Sequence, residues 1–487
     1  MKVKRSSFVL RPDCSRVFFR PFELMSRERV IRILARVMSL TETEAERESA
    51  QVLHDFVGRH QRLRDFLLRR CEQVRNELPT DASLSEARRL LIGAYFTQEY
   101  SLEAAALFNP SIVLHPDQSG VAEGSLRFVL SLRATGEGHV SSIVFRTGEV
   151  DRSGNVRINQ PTPFVVAADV HPNPSYEKKL FEQKLGELGL MSSFADAVLA
   201  RLEDVFTWEQ LQDVVERMSR RERLARSEDQ AIAHGILALA RANYEVSFDD
   251  TVRFSERVIF PSSPAESRGI EDARFVLFRE EDGSCRYYAT FTAFDGQVAL
   301  PQLLETTDFV RFKISTLNGP EVRNKGMALF PRRIRGCYAM ISRQDNENLY
   351  LMYSDMLHFW YEKRLLLRPT YPWEYVQIGN CGSPIETDAG WLVLTHGVGP
   401  MRRYSIGAIL LDREDPSRVI GRLREPLLTP SEREREGYVP NVVYSCGALV
   451  HAGRLILPYA MSDQCASFAT ISLADLIQEL KANSPVA

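Results

Sequence analysis

A chain of 487 residues, 44% hydrophobic and 26% charged, is long enough for two or three domains of ordinary size and excludes a mostly disordered polymer. Its 61 Lys+Arg against 64 Asp+Glu leave a formal net charge of −3, so no global field draws it to nucleic acid or to an anionic membrane surface. No apolar run reaches the ~20 residues of a membrane-spanning helix, the basic start Met1–Arg5 lacks the apolar stretch of a signal peptide, and seven cysteines without a C-x-x-C pair read as free thiols, which together predict a soluble, cytoplasmic protein.

The first hundred residues read as helical. Thr41-Glu42-Thr43-Glu44 has the form of a capping box, in which hydroxyl and carboxylate each satisfy an orphan amide of the first turn. Ala45, Val52, Leu53 and Phe56 then fall at helical spacing, followed by Leu63, Phe66, Leu67 and Cys71 and by the stretch Leu84 to Tyr95. From about Phe108 the character turns to β, with Arg127–Arg133 and Ser142–Arg146 as short runs bounded by Gly, Asp and Ser. Helical patterning returns over 176–243, where Thr207-Trp208-Glu209-Gln210 is a second capping box, and strand signals dominate from there to about residue 470. The order predicts a helical region 1–100, a mainly β domain over 101–475 interrupted by a helical insertion at 176–243, and a C-terminal tail 476–487. Asp250–Phe254, Asp308–Phe312 and Asp355–Phe359 share the pattern Asp-x-(Val/Leu)-x-Phe, starting 58 and then 47 residues apart. That is near the ~40–50-residue period of propeller blades, with Asp capping a turn and the aromatic packing the next strand; a β-sandwich is the alternative.

Phosphate-loop, dinucleotide, nucleophile-elbow and H-E-x-x-H motifs are all absent, and His451 after Cys446 finds no second pair, so no metal or organic cofactor is expected. Polar residues set in Gly-rich β segments are the candidates for chemistry. Gly269-Ile270-Glu271-Asp272-Ala273-Arg274 presents a carboxylate between a glycine turn and an arginine, the makings of a positioned general acid, although a surface ion pair in an ordinary turn is the blander reading. Lys325 and Arg343, near strand ends, can clamp an oxyanion or stand as solvated loop charges. His396 and Asp463 each close an apolar run, where a structural role is the commoner one. Arginine outnumbers lysine 52 to 9, a skew that anion recognition or, more simply, genomic base composition produces.

Taken in order, Phe108-Asn109-Pro110, Leu132-Arg133-Ala134, Gly269 to Arg274, Lys325 to Pro331, Gly382 to Glu386, Thr395-His396-Gly397, Leu411-Asp412 with Asp415-Pro416-Ser417, and Glu436 to Val443 resemble glycoside hydrolase family 130. The resemblance covers about residues 105–475 without the insertion. It implies a five-bladed β-propeller and an inverting mannoside phosphorylase, or the closely related β-mannosidase. It places the general acid on Asp272, whose proton would travel through the mannosyl 3-hydroxyl. It assigns substrate contacts to Asn109, Arg133, Arg274, Tyr438 and Asp463, and the phosphate side to the cations Lys325, Arg343 and His396. Ala273 stands where the family usually carries proline, which implies a looser Asp272. The implied partners are a β-mannoside oligosaccharide and inorganic phosphate, the latter as co-substrate, with no nucleic acid and no membrane. An inverting hydrolase acting on β-1,2-mannosides would also need a base, for which Glu347, Glu386 and Glu436 are candidates; a phosphorylase needs only the acid, because phosphate is already an anionic nucleophile. A non-catalytic glycan-binding propeller is the reading from another class. The amphipathic helical segments are expected to pack together beside the site's mouth or to form a homo-oligomer interface.

Overall fold

The computed structural model describes residues 2–23, 26–78, 82–173, 175–221 and 227–483. Asp13–Ala104 with Pro161–Val166 form one compact unit, and the remaining described residues form the other.

The smaller unit carries four helices, Arg27–Met38, Glu42–Phe56, Leu63–Gln73 and Glu86–Tyr95, and a two-stranded ribbon of Val17–Pro21 with Thr97–Ser101. The expected capping box opens the second helix: Glu44 N donates to Thr41 Oγ1 and Thr41 N donates to the Glu44 carboxylate at 2.8 Å. The apolar spacing read from the sequence buries Leu34, Val37, Cys71, Leu91, Ile92 and Phe96 as one core and Leu63, Leu67 and Leu90 as another. Arg88 caps the end of the first helix from outside, donating to the carbonyls of Val37 at 2.7 Å and Leu40 at 3.0 Å.

In the larger unit, five successive antiparallel four-stranded meanders are found among the described residues. The first runs Ala106–Leu114, Leu126–Thr135, Ser141–Val150, Val156–Ile158. The second is Gly269–Arg279, Cys285–Phe294, Ala299–Thr306, Arg311–Thr316. The third is Ala328–Leu329, Tyr338–Ser342, Leu349–Ser354, Glu362–Leu367. The fourth is Gln377–Asn380, Gly390–Val398, Tyr404–Leu411, Val419–Arg422. The fifth is Val443–Tyr444, Arg454–Met461, Cys465–Ser472, and its fourth strand is Val3–Leu10 from the other end of the chain. Neighbours share cores. Val276 and Phe278 of the second meander pack with Met340 and Met352 of the third, Phe330 and Ile341 of the third with Trp391 and Val393 of the fourth, and Leu392 and Leu394 of the fourth with Leu455 and Leu457 of the fifth. Phe108 of the first meets Ala460 of the fifth. Gly390–Val398 is buried at every position, as a strand covered on both faces must be.

The insertion holds helices Lys178–Glu187, Ser193–Leu199, Trp208–Arg221 and Ser227–Arg241, with Phe181, Leu185, Val198, Leu211 and Ile236 in its core. Its capping box at Thr207 and Gln210 forms as expected. It is moored on the outer side of the second meander, where Asn243 Oδ1 accepts from Thr316 N at 2.8 Å.

Several expectations need correction. Region 1–100 is not all helix, because Val3–Leu10 is a strand of the larger unit; its alternation is too weak in apolar residues to announce a strand without its partner. The stretch 476–487 is not a tail: Leu473–Ala482 is a helix capped by Ser472, and Leu476 and Leu480, four apart, bury in the core shared by the fourth and fifth meanders. Residues 484–487 of that stretch lie outside the described residues. Of the three five-residue repeats only Asp308–Phe312 behaves as read, with Asp308 Oδ1 accepting from Val310 N and Arg311 N at 2.8 and 2.9 Å and Phe312 buried. In the first copy Asp249 does the capping and Phe254 lies in a 3₁₀ turn, and in the third the cap is Ser354. The pattern is therefore turn chemistry recurring, not a structural repeat.

Candidate active site

Asp272 lies within the strand Gly269–Arg279, not in a turn before it. A register shift between Glu271 and Arg274 interrupts that strand's pairing, and Asp272 takes a left-handed φ of 54°, strained for any residue but glycine. In a regular strand consecutive side chains leave on opposite faces; the bulge turns Glu271 and Asp272 toward one guanidinium. Arg133 Nη2 donates to Glu271 Oε1 at 3.0 Å, and Nη1 lies 3.5 Å from Asp272 Oδ1. Ser141 Oγ accepts from Arg133 Nε at 2.9 Å and holds the fork in place.

A second bulge, between Phe108 and Ser111, gives Asn109 a φ of 48° and aims it at the same carboxylate, to which Nδ2 donates at 2.6 Å. Asn109 Oδ1 is buried with no hydrogen-bond partner among the described residues. Asp272 is thus tied through two side chains even with Ala273 in the proline position. Lys325 Nζ sits 3.2 Å from Glu271 Oε2, so Glu271 joins two cations. A narrow crevice of about 10 Å³ lies beside them, bounded by Asp272, Arg274, Lys325 and Gly326.

Two carboxyls titrate apart here. Burial pushes Asp272 up, but Arg133, Arg274, Lys325 and the Asn109 hydrogen bond outweigh it and hold the group below the usual carboxylate value. Asp463, at a φ of 50°, goes the other way: burial first and then the Asp272 charge push it up to about 6, against the opposing pull of Arg133, Arg402 and Lys325. The pattern of one low and one high carboxyl side by side marks a functional cluster.

Arg343 follows the third meander's strand Tyr338–Ser342 and is 7% exposed; its Nε has no partner among the described residues, while Nη1 donates to Asn346 Oδ1 at 3.4 Å. Two glycines make room for it. A Cβ on Gly326 would lie 2.5 Å from Arg343 Nε, and one on Gly379 would lie 2.8 Å from Arg343 Cδ and 2.3 Å from His396 Cε1. His396 itself is fully buried, stacked on Tyr404 and edge-on to Tyr444. Desolvation, then Arg343 and Arg274, drive its pKa well below the ordinary histidine value. It is a neutral imidazole, not the cation expected, and brings hydrogen bonding with no charge; its Nδ1 is without a partner among the described residues.

Arg274 donates through its fork to Asn380 O at 2.8 Å and to Tyr444 Oη at 2.5 Å, a brace whose charge also reaches Asp272 through space, and it lines the crevice beside Asp272. Tyr438 is exposed and lies against His139, outside the Asp272 cluster. Of the three candidate bases, Glu386 is paired with Arg332 and Arg413, and Glu347 and Glu436 are exposed. Sequence reading assigned no role to Arg402, Tyr444, Gly326, Gly379 or the bridging part of Glu271; Glu271, adjacent to Asp272, and Gly326, adjacent to Lys325, carried a signal by lying within quoted motifs.

A buried acid held by a guanidinium and an amide, with Lys325 and the buried Arg343 on either side of Gly326, is a class of site that suits glycosyl transfer to or from an anion. Comparison with known proteins is consistent with that class. The model of the family described as beta-1,4-mannooligosaccharide phosphorylase, glycoside hydrolase family 130, matches residues 217–482, and the chain belongs to this family. It is 35% identical over 248 residues to a 1,2-beta-oligomannan phosphorylase of Thermoanaerobacter sp. (strain X514), covering 49% of this chain and 80% of that protein. A beta-1,2-mannobiose phosphorylase of the same organism is 32% identical over 244 residues, covering 47% and 76%. A beta-1,4-mannooligosaccharide phosphorylase of Ruminococcus albus is 35% identical over 175 residues, covering 34% and 52%.

Proposed function

We propose that the protein is an inverting β-mannoside phosphorylase on a five-bladed β-propeller, releasing α-mannose 1-phosphate from a manno-oligosaccharide and inorganic phosphate. The second to fourth meanders each share a core with the next, Phe108 of the first meets Ala460 of the fifth, and Phe145 of the first lies edge-on to Phe275 of the second, which supports reading the five as blades. The observation that carries the chemistry is Arg343, a buried guanidinium with an unpartnered Nε and a glycine on either side, near the same cluster as Asp272. With Lys325 it offers the charge needed to hold phosphate in line with an anomeric carbon. Neutral His396 adds a hydrogen bond to that anion.

Asp272 acts as the acid, and its proton reaches the leaving oxygen through the mannosyl 3-hydroxyl. Asn109, Arg133 and Asp463 bind the mannosyl unit, with Asp463, at a pKa of about 6, able to donate as well as accept near neutrality. The surrounding cations hold Asp272 below the usual carboxylate value. A phosphate dianion at Arg343 and Lys325 neutralises part of that field and raises Asp272 toward the protonated form, so phosphate binding and acid loading are linked. Glu386 is engaged by Arg332 and Arg413, which weighs against it as the base of a hydrolase. The relatives act on both β-1,2 and β-1,4 linkages by their names, so the substrate is stated as a β-mannoside.

The test is incubation with β-1,2- and β-1,4-linked manno-oligosaccharides with and without phosphate. Phosphate-dependent release of α-mannose 1-phosphate is the expected result; free mannose at one rate in both conditions would overturn the phosphorylase reading in favour of the mannosidase, and binding without turnover would leave a glycan-binding propeller.

A further inference from the structure

Tyr438 is a large aromatic side chain 54% exposed, held against the ring of His139 with centroids 5.7 Å apart and planes inclined by 31°. Its hydroxyl lies 3.3 Å from His139 Nδ1, within hydrogen-bonding reach. His139 is itself exposed and has a left-handed φ of 61°. Strain and an exposed ring pair together point to a surface kept for contact.

Where the pair sits gives it a partner. His139 belongs to the turn between Leu126–Thr135 and Ser141–Val150, which carry Arg133 and the Ser141 hydroxyl that orients it. Tyr438 belongs to a segment lying on the turn that carries Asp463: Val439 N donates to Ser462 O at 3.0 Å, and a Cβ on Gly437 would come 2.5 Å from that same oxygen. The ring pair therefore spans the two loops whose inner residues, Arg133 and Asp463, act on Asp272. It forms a ledge at the rim of the cluster, outside the buried acid.

We infer that Tyr438 and His139 form a stacking platform for the part of the oligosaccharide beyond the bond that is cleaved, and so set the preference for chain length. This rests on the phosphorylase reading and deepens it. A pyranose presents a face of C–H groups, which an aromatic ring accepts without demanding a particular hydroxyl pattern. Such a ledge favours longer acceptor chains while tolerating their chemistry. The contact between Tyr438 and His139 fixes the plane of the ledge before the sugar arrives, so less ordering is left to binding.

The experiment is steady-state phosphorolysis of a manno-disaccharide and a manno-tetrasaccharide by wild type, Tyr438→Ala, His139→Ala and Tyr438→Phe, with the KM for phosphate measured as a control. The expected result is a rise of about tenfold in the tetrasaccharide KM for Tyr438→Ala, a smaller rise for the disaccharide, and recovery of most of the tetrasaccharide preference in Tyr438→Phe, which keeps the ring. An active wild type whose tetrasaccharide and disaccharide constants move together, or do not move, in both alanine variants would overturn the platform alone. So would a Tyr438→Phe variant as impaired as Tyr438→Ala. A wild type that turns over neither sugar would overturn the phosphorylase reading and the platform with it.

Discussion

Substituting Gly326 by alanine probes the phosphate side without removing any polar group. Gly326 has a φ of 94°, and its added Cβ would lie 2.5 Å from Arg343 Nε and 3.1 Å from Cγ and Cδ. The left-handed backbone costs a non-glycine residue about 1–2 kcal/mol. Overpacking against Arg343 adds about 1–3 kcal/mol if the side chain holds its place, for a total near 2–5 kcal/mol. If it yields instead, it must retreat by roughly 1 Å to reach van der Waals distance, and a misplacement of that size costs about 10²-fold in rate. The retreat is restricted, because Gly379 occupies the other side with room for no more than a hydrogen where Arg343 Cδ passes. Thermal unfolding together with the phosphate and oligosaccharide KM values separates the two outcomes. Arg343→Lys, which loses the fork but keeps the charge, serves as the comparison. A Gly326→Ala protein with wild-type unfolding and wild-type phosphate KM would refute the view that this glycine exists to seat Arg343.

Three further outcomes follow from the same geometry. Asp272→Asn should lower turnover by about 10²–10⁴-fold, with phosphate still bound, as measured by single-turnover kinetics and phosphate titration; turnover near wild type would remove Asp272 from the acid role. Asp463 has a folded pKa of about 6 against 3.8, so its protonated form favours the fold below pH ~3.8 and that advantage is lost as pH rises through about 6. Asp463→Asn should accordingly be more stable than wild type by about 3 kcal/mol at pH 8 and by nothing from this source at pH 3, read by denaturant unfolding at the two pH values; an equal difference at both would contradict it. Deleting residues 2–10 removes the strand paired to Cys465–Ser472 through Val3↔Ile471, Lys4↔Thr470, Arg5↔Ala469, Val9↔Ser467 and Leu10↔Ala466. At ~1 kcal/mol per ladder bond the loss is about 5 kcal/mol, visible as a lowered Tm and faster proteolysis within the fifth meander; unchanged proteolysis there would show that the strand does not close it.

What could be read from the chain alone was whatever depends on near neighbours. Both capping boxes formed because Thr41 with Glu44 and Thr207 with Gln210 are complete within four residues. The helices of the first hundred residues and of the insertion followed from apolar spacing, and the strands Leu126–Thr135, Gly390–Val398 and Arg454–Met461 from β-rich runs. Residue identity also carried the acid candidate and the cations, because a carboxylate or guanidinium keeps its chemistry in any fold.

Tertiary structure decided everything that needed a distant partner. Val3–Leu10 becomes a strand because Cys465–Ser472 offers its edge, and no local pattern records that edge. Asn109, Arg133, Asp272 and Asp463 are scattered along the chain, and two bulges and a set of left-handed residues bring them to one point. Ionisation was decided there as well. His396 loses its charge to burial beside Arg343 and Arg274, while neighbouring charges and burial push Asp272 and Asp463 in opposite directions. Sequence specifies which groups exist and how each short segment bends; electrostatic energy falls with distance through space, not along the chain, so only the folded protein settles which of those groups are charged and what they face.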